Sequence, residues 1–403
     1  MSIALSEKYR QQIAAFCDGV TLSNLFQLFE RPAYKVLTES MRSVHHQFLT
    51  ASDVDMVLFQ AVTNAVQVCR SDQHSAQQES DDILKVILPG LIERAFESIP
   101  RKLCVHFPLT GFDGLAEGAI PIHESITLHC RIERPWSPPP GQAGSPGTHS
   151  KPHAWLTVDT EGVLSLGPDS MGNSLAITAA KQCLYFFESL CHPHPLPAAS
   201  NSVAYVMGDG DCVLLRLPEF LLRYMQTLVP DWQKLRYYEP GGTLLGGRMR
   251  PPENEGERLE ALPVSLHAAK GFFEQCNNPD YPAIAAAMEW YVDSKTAENQ
   301  TFSYLAACIG VEAILGEDGA ERMETMTARL SDRYGFLLGV GRQDRKRLAE
   351  EYYSVLKLRG TLVHARRKRL TQQEQGLLHK AQALLRALID KEVRTLTGTT
   401  FPV

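Results

Sequence analysis

The 403 residues contain no C-x2-C pair, no Gly-x-Ser-x-Gly elbow, no His-Glu-x-x-His and no dinucleotide-binding glycine fingerprint. Each of those chemistries needs its ligands or its backbone turn at a fixed spacing, so the best-marked zinc-finger, serine-hydrolase, metalloprotease and dehydrogenase readings fall away. Long uncharged apolar runs are missing too. Met1 to Arg10 turns polar before a signal-peptide core could form, and no later stretch approaches the ~20 apolar residues of a membrane span. The expectation is a soluble, cytoplasmic protein that makes no membrane contact. Nine cysteines, at 17, 69, 104, 130, 183, 191, 212, 276 and 308, form an odd, scattered set. Free thiols in a reducing compartment account for them, and neither a metal nor another cofactor is expected.

What the chain does have is ordinary globular chemistry, with 44% hydrophobic and 21% charged residues. Its length exceeds the usual size of one hydrophobic core, which predicts two or three domains. The net charge of -6 hides an asymmetry. Between residues 322 and 369 there are 13 basic and 5 acidic residues, a local excess of +8. Such a window attracts large anions, a nucleic-acid backbone among them, although a solvated basic helix face has the same composition.

Residues 1–99 read as helices. Asn24 to Glu30, Val54 to Val62 and Ile83 to Leu88 repeat apolar residues near the helical period, with Pro32 and Pro89 as expected breaks or kinks. From Arg101 the pattern turns to strands. Lys102 to Pro108 and Ile126 to Ile132 alternate, and Ala154 to Val158 followed by Val163 to Leu166 predicts a hairpin through Asp159-Thr-Glu-Gly162. The Pro/Gly-rich stretch 135–152 reads as a long loop. Ala204 to Met207 and Cys212 to Leu217 flank a tight Gly208-Asp-Gly-Asp211 turn, and a helix is expected from about Pro218 to Arg236.

A domain boundary is expected in or soon after the Gly-, Pro- and Glu-rich segment 239–263. The C-terminal part then reads as a helical bundle. Phe302 to Leu315 is apolar almost all round, helices are expected over 320–339 and 344–364, and Thr371-Gln-Gln-Glu374 is a capping box before a last amphipathic helix. The fold class is therefore α+β: a mixed helix/strand N-terminal region followed by an all-α bundle. The segments are 1–99, 100–262 and 263–403.

Three patterns carry little chemistry. Gly241 to Gly246 has phosphate-loop spacing without the lysine and hydroxyl residue that grip phosphate and magnesium. Cys191-His-Pro-His194 lacks a second ligand pair, and Asp209 with Asp211 lacks the remaining oxygens of a calcium loop. The stretch from Tyr352 to Arg369 differs from all of these. On a helix Leu348, Tyr352, Val355, Arg359 and Leu362 share one face, so Arg359 projects from an apolar stripe and needs an anion. His364 lies five residues on, about 140° round the helix, and Gly360 leaves room beside it. Two readings are open here: Arg359 pairs with Glu312 of the apolar helix and His364 ends its own helix, or the two flank a site for an external anion. Arg366, Arg367, Lys368 and Arg369 follow directly.

Arg359 to His364 is an R-x4-H motif, and its setting resembles the HEPN superfamily, specifically the ApeA-like branch of bacterial defence proteins. The resemblance covers about residues 281–394, where Phe302 to Leu315 with Glu312, the run Ala328 to Leu338 and the Tyr-x5-Arg-x4-His block follow the family's order. It departs at Gly360, where a small polar or acidic residue is frequent, and at Ala365, where glycine is frequent. The resemblance implies a metal-independent endoribonuclease made by two bundles whose motifs face one cleft, with Arg359 and His364 as the catalytic pair. Glu312, Tyr352 and Gly360 would support it. RNA would be the substrate and Arg366 to Arg369 its backbone guides. A homodimer, a role in anti-phage defence and a phage-derived trigger or inhibitory partner acting on residues 1–280 complete the expectation. Some superfamily members only bind nucleotide or RNA, which gives the alternative: a noncatalytic signalling module.

Overall fold

The computed structural model describes residues 3–47, 49–71, 77–109, 117–130, 154–188, 191–193, 204–208, 211–215, 217, 219–230, 264–316, 323–364 and 369–398. The expected loop at 135–152, the glycine segment at 241–246, His194 and Asp209 lie outside them, as does the segment 239–263 expected to hold the domain boundary.

The chain opens with four helices, α1 (Glu7–Cys17), α2 (Pro32–Val44), α3 (Ala51–Ser71) and α4 (Gln77–Glu97). Tyr9, Ile13, Phe16 and Cys17 recur at helical spacing on α1 and are all buried. Pro32 does start a helix, as its missing N–H suits the first turn. Of the break or kink expected at Pro89, the break does not occur: α4 runs past it, with Leu84, Leu88, Ile92 and Phe96 fully buried on both sides of the proline. These helices share a core of their own, which Val163 joins.

A six-stranded sheet follows, built from β1 (Arg101–Leu109), β2 (Gly118–His123), β3 (Ile126–Cys130), β4 (Ala154–Gly162), β6 (Ala204–Gly208) and β7 (Asp211–Leu215). Its order is β2-β3-β4-β1-β6-β7, and every pairing is antiparallel. Leu103, Val105, Phe107 and Leu109 alternate onto one buried face, against α5 (Met171–Glu188). The hairpin expected at Asp159 to Gly162 is instead the end of β4, which pairs with β1 along its whole length from Arg101↔Gly162 to Leu109↔Ala154. Long-range pairing overrides the local turn preference of those four residues. At Gly162 an added Cβ would lie 2.9 Å from the Gly172 nitrogen, so two glycines let the end of β4 meet the start of α5. The helix expected over 218–236 is shorter: α6 (Glu219–Thr227) gives way to β8 (Leu228–Pro230), which pairs with β5 (Cys191–Pro193).

The C-terminal part is all-helical, with α7 (Val264–Phe273), α8 (Tyr281–Thr296), α9 (Gln300–Leu315), α10 (Met323–Leu338), α11 (Arg342–His364) and α12 (Gln375–Thr397). The α+β architecture, a mixed helix/strand region followed by an all-helical bundle, is therefore what the chain forms. Asn299 caps α9, its side-chain oxygen accepting from the Thr301 and Phe302 nitrogens, and Gly316 stops it. Where α9 meets α12, a Cβ at Gly310 would fall 2.6 Å from a Leu385 methyl. Glu374 reaches back to accept from the Thr371 backbone nitrogen at 2.9 Å, completing the capping box. Sheet and bundle share one continuous apolar core.

Candidate functional site

The site is built on three bundle helices. Along α9, Tyr304, Cys308 and Glu312 recur every four residues and so lie on one face. Tyr352, Val355 and Arg359 of α11 meet that face, since Tyr304 donates its hydroxyl to the Val355 carbonyl at 2.6 Å and Arg359 Nη2 donates to Glu312 Oε2 at 3.1 Å. Both members of the ion pair are 27% exposed. From α10, Tyr334 packs its ring 4.9 Å from that of Tyr352 and anchors its own hydroxyl on the Leu384 carbonyl at 3.0 Å. Among the described residues the buried Tyr352 hydroxyl has no hydrogen-bond partner.

Burial dominates the electrostatics. It pushes the Cys308 thiol up to about 12, with Glu312 adding to the rise, so this cysteine stays a neutral packing group. It also raises the Glu312 carboxyl above its ordinary range, and the Arg359 guanidinium offsets only part of that. A carboxyl whose folded pKa is raised holds its proton more tightly folded than unfolded. Its contribution to stability is full below about pH 4.3 and is lost as pH climbs through the folded value. Glu312→Gln is expected to remove part of that decline, read from denaturant midpoints at stepped pH. A pH slope identical to the parent's would show that Glu312 is not strained by burial.

The stripe expected on α11 is present: Tyr352, Val355 and Leu362 are buried, with Leu348 and Arg359 partly so. Gly360 borders open space, because an added Cβ would meet nothing within 4 Å. His364 is the last helical residue, about 7.5 Å along the axis from Arg359. Arg366, Arg367 and Lys368 lie outside the described residues, and Arg369 is exposed. There the chain is tied back, the Leu370 nitrogen donating to Thr301 Oγ1 at 2.9 Å at the start of α9. Of the expected residues, then, Arg359, Glu312 and Tyr352 are brought together.

Sequence reading passed over Cys308, Tyr304 and Tyr334, although the i, i+4, i+8 spacing of Tyr304, Cys308 and Glu312 marks them as neighbours. It also passed over a polar group on the sheet face opposite α5. His106 there is buried, contacts Thr157 Oγ1 at 2.9 Å, and is held neutral with a pKa lowered to about 4, by burial first and then by His129. Cys104 lines a cleft of about 680 Å³ beside Asp159 and Glu161, and burial with the Asp159 carboxylate raises its thiol pKa. Both effects disfavour the thiolate. Among the described residues no group of three or more His, Cys, Asp or Glu is placed to hold a metal ion, and no helix is long and apolar enough to cross a membrane. Comparison with known protein families, with curated proteins and with solved structures gives no match in any of the three.

Proposed function

We propose that the C-terminal bundle is a metal-independent endoribonuclease of HEPN type, acting as a homodimer in anti-phage defence. One observation carries the reading. Arg359 rises from an otherwise apolar stripe of α11 with open space at Gly360 beside it and an imidazole residue about 1.4 turns on, at the helix end. A guanidinium has five N–H donors, so Arg359 can keep its bond to Glu312 and still grip a phosphate oxygen.

The chemistry needs no group beyond these. The 2′-hydroxyl of the RNA attacks the adjacent phosphorus while one His364 imidazole takes its proton. The His364 imidazolium of the partner chain gives a proton to the departing 5′-oxygen as the P–O bond breaks. Paired Arg359 guanidinia stabilise the charge on the crowded phosphorane. An imidazole pKa of about 6.5 suits both roles near neutral pH. Arg366, Arg367, Lys368 and Arg369 guide the backbone. By analogy with defence nucleases, residues 1–280 receive a phage-derived trigger or an inhibitory partner.

Purified protein incubated with RNA in the presence of a chelator is expected to leave 2′,3′-cyclic phosphate and 5′-hydroxyl ends. Ends carrying 5′-phosphate and 3′-hydroxyl, or activity abolished by the chelator, would contradict the mechanism.

The 3.1 Å Arg359–Glu312 pair favours a second reading, in which the arginine is satisfied internally and the bundle binds RNA or nucleotide without cutting. RNA recovered intact from a tight complex under all conditions would decide for it.

A further inference from the structure

Two of the exposed aromatic side chains of the bundle share one place. Phe336 and Tyr353 are 65% and 48% exposed, and both line an open groove of about 620 Å³ between α10 and α11. Arg342, Arg345 and Lys346 line it as well, with Asp332 and Glu350 as its acidic members. Rings left in water beside cations suit a ligand that offers flat faces and negative charge together.

The groove is partly organised in advance. The Arg345 guanidinium lies 4.3 Å from the Phe336 ring centroid, and its Nε donates to the Gly339 carbonyl at 3.1 Å, which fixes the ring from that side. With so much of Phe336 still exposed, a second flat group can stack on it. Lys346 is 3.8 Å from Glu350, and both side chains are largely exposed, so a phosphate can take that ammonium at little cost. Behind the groove α10 and α11 approach closely: a Cβ at Gly335 would clash with the Arg345 carbonyl oxygen, so glycine lets the two helices meet there.

We infer that this groove is a docking track for unpaired RNA, with Phe336 and Tyr353 as base-stacking platforms and Arg342 and Lys346 as phosphate contacts. The inference rests on the nuclease reading for its destination and adds the substrate class, single-stranded rather than duplex. Tyr353 and Arg359 are six residues apart on α11, about 9 Å along its axis and 120° round it. One strand following the helix surface reaches both. A duplex keeps its base faces stacked inside and offers these rings nothing. Three of the five charged side chains that line the groove are basic, which favours a polyanion as its occupant.

The test uses full-length His364→Ala protein, so that cutting does not intervene, and follows fluorescence anisotropy of a labelled unpaired oligoribonucleotide and of the same strand annealed to its complement. Adding Phe336→Ala and Tyr353→Ala is expected to weaken binding of the unpaired strand about tenfold or more, leaving duplex binding and the thermal midpoint unchanged. Phe336→Tyr, which keeps a flat ring, should bind like the parent. Unchanged affinity in the double variant overturns the groove while the nuclease reading stands if the parent cuts RNA. Ring-dependent binding by a protein whose His364 form cuts nothing does the reverse. No binding of either probe, or displacement of the strand by polyglutamate with equal ease in both proteins, also overturns the inference.

Discussion

His364→Ala is expected to abolish measurable RNA cleavage, because the dimer loses its base and its acid together and each is worth about a hundredfold to ten-thousandfold, while RNA affinity stays close to the parent's. The split between rate and affinity is the informative part. An imidazole that moves a proton acts at the transition state, so its loss appears in the rate constant, whereas lost phosphate contacts appear in binding and in its salt dependence. Replacing Arg366, Arg367, Lys368 and Arg369 together should give the opposite pattern: weaker binding and a shallower salt slope, with cleavage recovered at high protein concentration. Single-turnover cleavage at saturating protein measures the first variant, and a salt titration of binding measures the second. His364→Ala protein that cuts at the parent rate would remove this residue from the mechanism.

Arg386→Met is expected to be strongly destabilising, costing about 3 kcal/mol, the lower end of what removing one member of a buried ion pair costs, since the guanidinium is 21% and Glu188 18% exposed. Arg386, on α12, donates from Nη1 to Glu188 of α5 at 3.2 Å and from Nε to Asp390 at 3.4 Å. Its guanidinium also sits 4.4 Å from the Tyr185 ring centroid and 5.5 Å from that of Tyr291. Tyr185 in turn donates to Asp390 at 2.6 Å, and Lys295 of α8 approaches Glu188 at 3.7 Å. One planar cation thus ties the helix beneath the sheet to two helices of the bundle. Without it Glu188 loses the nearer of these two cations and two tyrosine rings lose their cover. Arg386→Lys should not restore the loss, since an ammonium has neither the fork for two carboxylates nor the flat face for two rings. Chemical denaturation reads both variants. A Lys variant as stable as the parent would show that charge alone, and not the stacked fork, holds this junction.

The bundle was legible because its signals are local. The capping box at Thr371, the near-continuous apolar run of α9 and the stripe through Tyr352, Val355 and Leu362 each follow from residues within a few turns of one another. Phe302 is a partial exception: within that apolar run it is 54% exposed, since a helix at the bundle centre still keeps one edge toward solvent. The sheet region was harder for the opposite reason. β2 holds a proline, and α5 carries mostly small and aromatic residues with a run from Gln182 to Phe187 buried without a break, so neither shows a clean period. The end of β4 reads as a turn until its partner 60 residues earlier is known. At the site, the Arg359–Glu312 pair was legible because an arginine in an apolar stripe needs a carboxylate and Glu312 was the one on the facing helix. The unsatisfied Tyr352 hydroxyl was not, because a missing hydrogen bond has no sequence pattern.

In the proposed enzyme two chains each give one His364 to a shared cleft. Wild-type and His364→Ala chains co-expressed in graded ratios, purified together and assayed at fixed total protein test it directly. If each cleft needs both imidazoles, mixed dimers are dead and cleavage falls with the square of the wild-type fraction. Cleavage that falls in simple proportion to that fraction would mean that a single chain carries the whole reaction.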